Sequence, residues 1–234
     1  MGKGQDIATI LADIPVTFRI GESRRFFLYP QTLGRMYLTA DLYESLGINK
    51  ENLKLNPYLE ALRLAKEKKR ECCMLIAYHT FFSKREMLSP DKIERRTAML
   101  MSIADEEDIA SLLISTVTNN KVENILESEG ILEEEKRMKK ASDAKDSKNT
   151  LVFGGKTIWG NMIDMACERY GWTFDYVVWH ISFANLILML KDKVTTVYLT
   201  DEERKKCNVR NKKDVVNGDD KARMIELIKS GKLG

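Results

Sequence analysis

The sequence predicts a mainly α protein: a helical bundle with one N-terminal β-hairpin, followed by a small C-terminal helical module. Three observations carry this. Apolar residues recur at helical spacing along most of the chain, alternation is confined to a short stretch near residue 20, and a charged, core-poor stretch interrupts the chain after residue 120. Hydrophobic residues at 44% and charged residues at 31% over 234 residues fit a globular helical protein able to bury one large core or two small ones. The interruption favours two. We therefore divide the chain into 1–120 (hairpin and bundle), 121–150 (charged helix and flexible linker), 151–199 (aromatic-rich module) and 200–234 (a basic, partly ordered tail).

Val16-Thr17-Phe18-Arg19-Ile20 alternates, Gly21-Glu22-Ser23 turns, and Arg25-Phe26-Phe27-Leu28-Tyr29 returns as a second strand. An isolated hairpin is marginal in water, so its apolar face must rest on the helices that follow. A helix is expected from about Leu33 to Leu46, closed by Gly47. Pro57 opens the next. Leu59, Leu62 and Ala65 form its narrow stripe, Lys66 to Glu71 is solvated, and Cys72 to Phe82 is apolar enough to be buried. Ser89-Pro90 starts a helix with Ile93, Thr97, Leu100, Met101 and Ala104 on one face. Asp105 to Asp108 load negative charge at the start of another, leading into Ile109, Leu112, Leu113 and Val117. This gives a bundle of about four helices.

From Lys121 apolar residues thin out, and Ser142 to Asn149 has no core former to offset the entropy of ordering. The segment from Lys156 to Leu199 then holds all three tryptophans. Its first helix carries Ile158, Met162, Met165 and Ala166 on one face and stops at Tyr170-Gly171. Thr173 caps a short helix through Tyr176 and Trp179, and Ser182 caps a longer one through Phe183, Leu186, Ile187 and Leu190. Past Leu199, Thr200-Asp201-Glu202-Glu203 matches a capping box. From Lys191 to Gly234 there are twelve Lys and Arg against eight Asp and Glu, a net +4.

The net charge of +3 is too small to demand a polyanionic partner. Met1 to Asp6 is polar and Ala8 to Ile14 is too short and interrupted for a signal-peptide core, which predicts a cytoplasmic protein. The apolar run Tyr176 to Leu190 falls short of the ~20 residues a spanning helix needs and contains His180 and Asn185, so no membrane is expected. Cys72, Cys73, Cys167 and Cys207 show no Cys-x-x-Cys spacing and are expected as reduced thiols. Gly154-Gly155-Lys156-Thr157 resembles the end of a phosphate-binding loop, but the full pattern needs glycine where Thr150 stands, and Gly154-Gly155 reads as a hinge. Cys72 and His79 lie on one helical face, two ligands where a structural zinc site needs four, and His180 is expected as a buried histidine. No cofactor, no metal site and no catalytic residue is therefore expected. The helix-turn-helix at Thr157 to Leu190 offers only Asn185 for base edges, so a nucleic-acid regulator would depend on Arg204, Lys205, Lys206, Arg210, Lys212 and Lys213. That remains the alternative reading, beside an enzyme of unrecognised type. So many aromatics in a small module exceed what its interior can hide, and Trp159, Tyr170, Trp172, Tyr176 and Trp179 are the candidate partner contacts.

Glu168-Arg-Tyr-Gly-Trp-Thr173, then Val178-Trp179 and Ser182-Phe-Ala-Asn-Leu186 with a Met-Leu end, resembles the C-terminal part of tail assembly chaperones of long-tailed bacteriophages. The hairpin, bundle and charged linker are similar in outline. The resemblance implies a non-enzymatic protein that binds the helical tape-measure protein, keeps it soluble and helps tail-tube protein subunits assemble around it. A structural tail component of similar origin stays open, as does self-association into a homo-oligomer. The tail after Leu199 is longer than the family pattern leads one to expect.

Overall fold

The computed structural model describes residues 12–20, 24–117, 126–127, 130–145, 156–207 and 225. Among them are one two-stranded sheet and twelve helices, so the chain is mainly α. The strands are β1 (Val16–Ile20) and β2 (Arg24–Leu28), antiparallel with Val16 opposite Leu28 and Phe18 opposite Phe26. Phe18 and Phe26 stack at 5.3 Å, and Ile20, Phe26 and Leu28 turn inward while Phe27 stays exposed. The Gly21-Glu22-Ser23 turn lies outside the described residues.

Helix α1 (Leu33–Leu46) has the predicted bounds. Thr32 caps it, and Gly47, with a φ of 61°, ends it in the left-handed conformation that glycine adopts without Cβ strain. A helix the sequence reading omitted, α2 (Lys50–Leu55), follows, capped by Asn49. The single helix expected from Pro57 is two: α3 (Pro57–Glu67) and α4 (Lys69–His79), broken at Lys68 with φ −136° and ψ 47°. The break re-aims the chain, so the buried stripe of α3 is Ala61, Leu64 and Ala65, and Leu59 faces solvent. The short α5 (Lys84–Met87) was not foreseen either; Ser83 caps it. Then come α6 (Pro90–Ile103), with proline in its first turn, and α7 (Glu106–Val117), where Asp105 accepts the Asp108 N–H at 2.8 Å.

Helices α3, α4, α6 and α7 enclose the main core, roofed by the hairpin. Cys72, Cys73, Leu75 and Ile76 are wholly buried on α4, the central helix. A buried carboxylate that periodicity passed over ties α3 to the preceding loop. Glu60 accepts from Asn49 N–H at 2.8 Å and from Arg63 Nη2 at 2.6 Å. The Arg63 hydrogen bond holds its pKa down to about 2 against the opposing effect of burial.

Helix α8 (Ile131–Ala144) runs past Ala141, where order was expected to fade; residues 146–155 lie outside the description. Helices α9 (Ile158–Tyr170), α10 (Phe174–Trp179) and α11 (Phe183–Lys191) follow the predicted punctuation, with side-chain caps at Thr157, Thr173 and Ser182 and Gly171 at φ 66°. Helix α12 (Asp201–Cys207) begins with the expected capping box: Glu203 N–H donates to Thr200 Oγ1 at 3.3 Å and Thr200 N–H to Glu203 Oε2 at 2.8 Å.

Contacts group Met1–Leu132 with Val152–Val194 in one compact unit, and Glu133–Leu151 with Thr195–Gly234 in another. Residues 152–194 of the aromatic-rich segment, expected as a separate module over 151–199, thus share a unit with the bundle, and 195–199 group with the other unit. Three long-range contacts account for this. Phe183 N–H donates to Gln31 O at 2.7 Å, Ser182 N–H donates to Asp13 Oδ2 at 3.3 Å, and α10 packs on α1.

Candidate partner-binding groove

One face of α1 carries Leu33, Gly34, Met36, Tyr37, Ala40, Tyr43 and Glu44, an i, i+3, i+4, i+7 stripe. Opposite it stand Trp159 and Ile163 of α9 and Phe174, Val178 and Trp179 of α10. Ile48, Leu53 and Val117 close one end and Gln31 the other. Between them lies an apolar groove of about 1040 Å³, all of it within the first compact unit. Its rim is made of rings that would ordinarily be covered: Tyr37 is 82% exposed, Phe174 63% and Trp159 47%.

Gly34 sets the depth of this groove at one end. A Cβ there would fall on the Trp179 indole, so glycine is what lets α10 lie this close to α1. Lys84 Nζ sits 5.3 Å from the Trp179 ring centroid and also pairs with Asp175. That ion pair and the nearby His180, 3.7 Å from Asp175, keep the Asp175 carboxyl below its usual range, Lys84 being the larger cause.

The five predicted contact residues separate. Trp159 and Trp179 line the groove. Tyr170, Trp172 and Tyr176 form a second aromatic series, at 4.7 Å and 5.3 Å between successive rings. Tyr170 and Trp172 pack against the core formed by Ala166, Val177 and Leu186, and Tyr170 OH donates to Met189 O at 2.7 Å. Tyr176 stacks on His180. His180 is therefore not the buried histidine expected: it ends α10 on the solvent side, and half its side chain is exposed. Ile158, placed on the buried face of α9, is exposed as well, because it starts the helix where nothing packs over it. The groove residues of α1 and Phe174 were missed. The α1 stripe was legible as a second apolar face; Phe174 carries no local signal.

His79, Arg35, Cys72 and Cys73 are all buried in the bundle. His79 is buried at the end of α4, its Nδ1–H donating to Tyr29 O at 3.1 Å. Burial, reinforced by nearby Arg35, lowers its pKa to about 3, so the ring is neutral. Arg35 is itself buried, solvated by the carbonyls of Tyr78, Phe81 and Pro30 near the C-terminus of α4, and burial lowers its pKa to about 10. Burial raises the Cys72 and Cys73 thiols to about 12 and about 11, far from thiolate formation at neutral pH. No group of three or more His, Cys, Asp or Glu among the described residues is placed to hold a metal ion.

No family model, curated protein or solved structure matches the chain. Function must be argued from the geometry.

Asn185, the one base-reading candidate of the helix-turn-helix, is buried, which removes it from any duplex. Arg204, Lys205 and Lys206 sit together in the last turn of α12, while Arg210, Lys212 and Lys213 lie outside the described residues. Lys156 and Thr157 precede α9, where Thr157 Oγ1 accepts the Gly160 N–H; the glycines of the loop-like motif lie outside the description. No helix among the described residues is long and apolar enough to cross a membrane.

Proposed function

We propose that this chain is a non-catalytic client-binding protein whose groove between α1, α9 and α10 receives an amphipathic helix. One observation carries the reading: an open, nearly uncharged trough rimmed by exposed Tyr37, Trp159 and Phe174. The stripe of α1 runs from Leu33 to Glu44, about 17 Å at 1.5 Å per residue, enough to seat about three turns of helix. Helix-in-groove recognition uses such a trough, with anchors at i, i+3, i+4 and i+7, and Met36 supplies adaptable packing to an irregular client.

Together with the resemblance in the Glu168–Thr173 and Ser182–Leu186 segments, this supports a phage or prophage tail assembly chaperone. It would act in the cytoplasm of the host bacterium, hold the tape-measure protein soluble and assist addition of tail-tube subunits. The test is co-expression with the tape-measure protein that this reading expects as its client. Wild type should keep that client soluble and co-purify with it through nuclease treatment, and Ala40→Trp, which fills the groove from an exposed position, should lose both. Equal recovery of client with the filled groove would refute the site, and no recovery with wild type would refute the function.

A further inference from the structure

Beside the groove stands a protrusion of the same apolar character. Lys54, Leu55, Asn56, Pro57, Tyr58 and Leu59, where α2 passes into α3, are all exposed. Leu55 is 85% exposed and Leu59 60%. The corner is braced. Asn56 Oδ1 accepts the N–H groups of Tyr58 and Leu59 at 3.1 and 3.2 Å, and buried Glu60 accepts from Asn49 N–H and Asn52 Nδ2, which fastens α2 to α3. Leucines displayed on such a turn cover nothing of their own chain, and folding leaves their apolar area in water.

Leu53, two residues before Leu55, lines the end of the groove closed by Ile48 and Val117, so the convex corner and the concave trough adjoin. Adjoining convex and concave patches suit an isologous interface, since a two-fold axis brings the corner of each copy to the trough of the other. The area is sufficient. Taking roughly 150–250 Å² for a large side chain fully in water, the exposed parts of Leu55, Tyr58, Leu59, Tyr37, Trp159 and Phe174 come to about 700 Å² per copy, or about 1,400 Å² for a pair, inside the ~1,200–2,000 Å² of specific interfaces. A helical client would fill the trough and leave the corner in water. A second copy covers both.

We propose that a second copy of this chain occupies the groove, in a two-fold dimer where Leu55 and Leu59 of each copy enter the trough of the other. The inference does not rest on the client reading. Joined to it, the dimer is the resting form that a client helix must displace.

The test is the molar mass of the full chain by light scattering between about 1 and about 100 µM, where interfaces of this size and ordinary fit associate. Wild type should pass from monomer to dimer. Acrylamide quenching of tryptophan should fall over the same range, because Trp159 and Trp179 line the groove while Trp172 packs against the Ala166 core and supplies a constant background. Leu55→Asp with Leu59→Asp, both on the exposed corner and outside the groove lining, should weaken association at least about tenfold and keep quenching high. Ala40→Trp, made on the other half of the contact, should weaken it equally. A wild type that stays monomeric would overturn the inference. So would a dimer that forms without protecting tryptophan, or one that persists in either variant. Client recovery in co-expression reports separately: the corner variant keeps its groove and should recover more client than wild type if the client reading holds. A wild type that dimerises with its tryptophans protected and recovers no client would sustain this inference and sink the client reading alone.

Discussion

At the scale of single residues, Gly34 and Trp179 are the contact on which the groove depends. Alanine normally stabilises a helix relative to glycine by roughly 1 kcal/mol. At Gly34 the added methyl meets the Trp179 ring instead, on a helix already fixed by the Thr173 cap and the Lys84 contact. Gly34→Ala should therefore destabilise the protein by about 1–3 kcal/mol through overpacking, with a shift in tryptophan emission as the indole moves. In a Trp179→Ala background the same change should become neutral or favourable. Urea melts of the four proteins in this double-mutant cycle decide the matter: an unchanged penalty in the Trp179→Ala background would mean the clash is not with that ring.

At the scale of elements, punctuation explains both what the sequence made legible and what it hid. Gly47, Gly171, Pro90, Ser182 and the Thr200–Glu203 box act on backbone groups within four residues of themselves, so a local reading could place them. The break at Lys68 has no such signal, since Lys68 is an ordinary helix former and the chain turns there because α3 and α4 must each face the same core. The groove was hidden for the same reason: Gly34 and Trp179 are far apart in sequence, and an exposed Tyr37 or Phe174 looks like any surface ring until the opposite wall is known. Gly171 tests the legible class. With φ at 66° and nothing near its Cβ position, Gly171→Ala should cost about 1 kcal/mol from left-handed strain alone. Gly171→Asn should cost less, because asparagine tolerates that conformation. Equal thermal stability of the two variants would show that the α9 end does not need it.

For the whole molecule, the joints between hairpin, α1 and α4 converge on Tyr29, Arg35 and His79, and this makes the first compact unit sensitive to acid. Tyr29 N–H donates to His79 O at 2.8 Å while the His79 ring donates back to Tyr29 O. The His79 ring is held neutral, with its pKa lowered from 6.5 to about 3 by burial first and Arg35 second. Between those values the unfolded chain binds a proton that the folded chain does not, so stability rises with pH across the window and is lost as pH falls from about 6.5 toward 3. At pH 5 the loss from this one group is of order 2 kcal/mol. Glu60 adds a second, lower window. Its pKa is lowered to about 2, so the stability it contributes is present above about 4.5 and is lost as pH falls toward 2. His79→Gln keeps a donor for Tyr29 O and cannot titrate. It should lower stability at neutral pH through imperfect packing, yet flatten the dependence between pH 6.5 and 4 and leave the decline below 4.5 in place. Denaturant melts of both proteins at half-unit pH steps would show this as two curves that converge on acidification. Parallel curves across that range would mean that another group, not His79, governs the acid response of the unit that carries the groove.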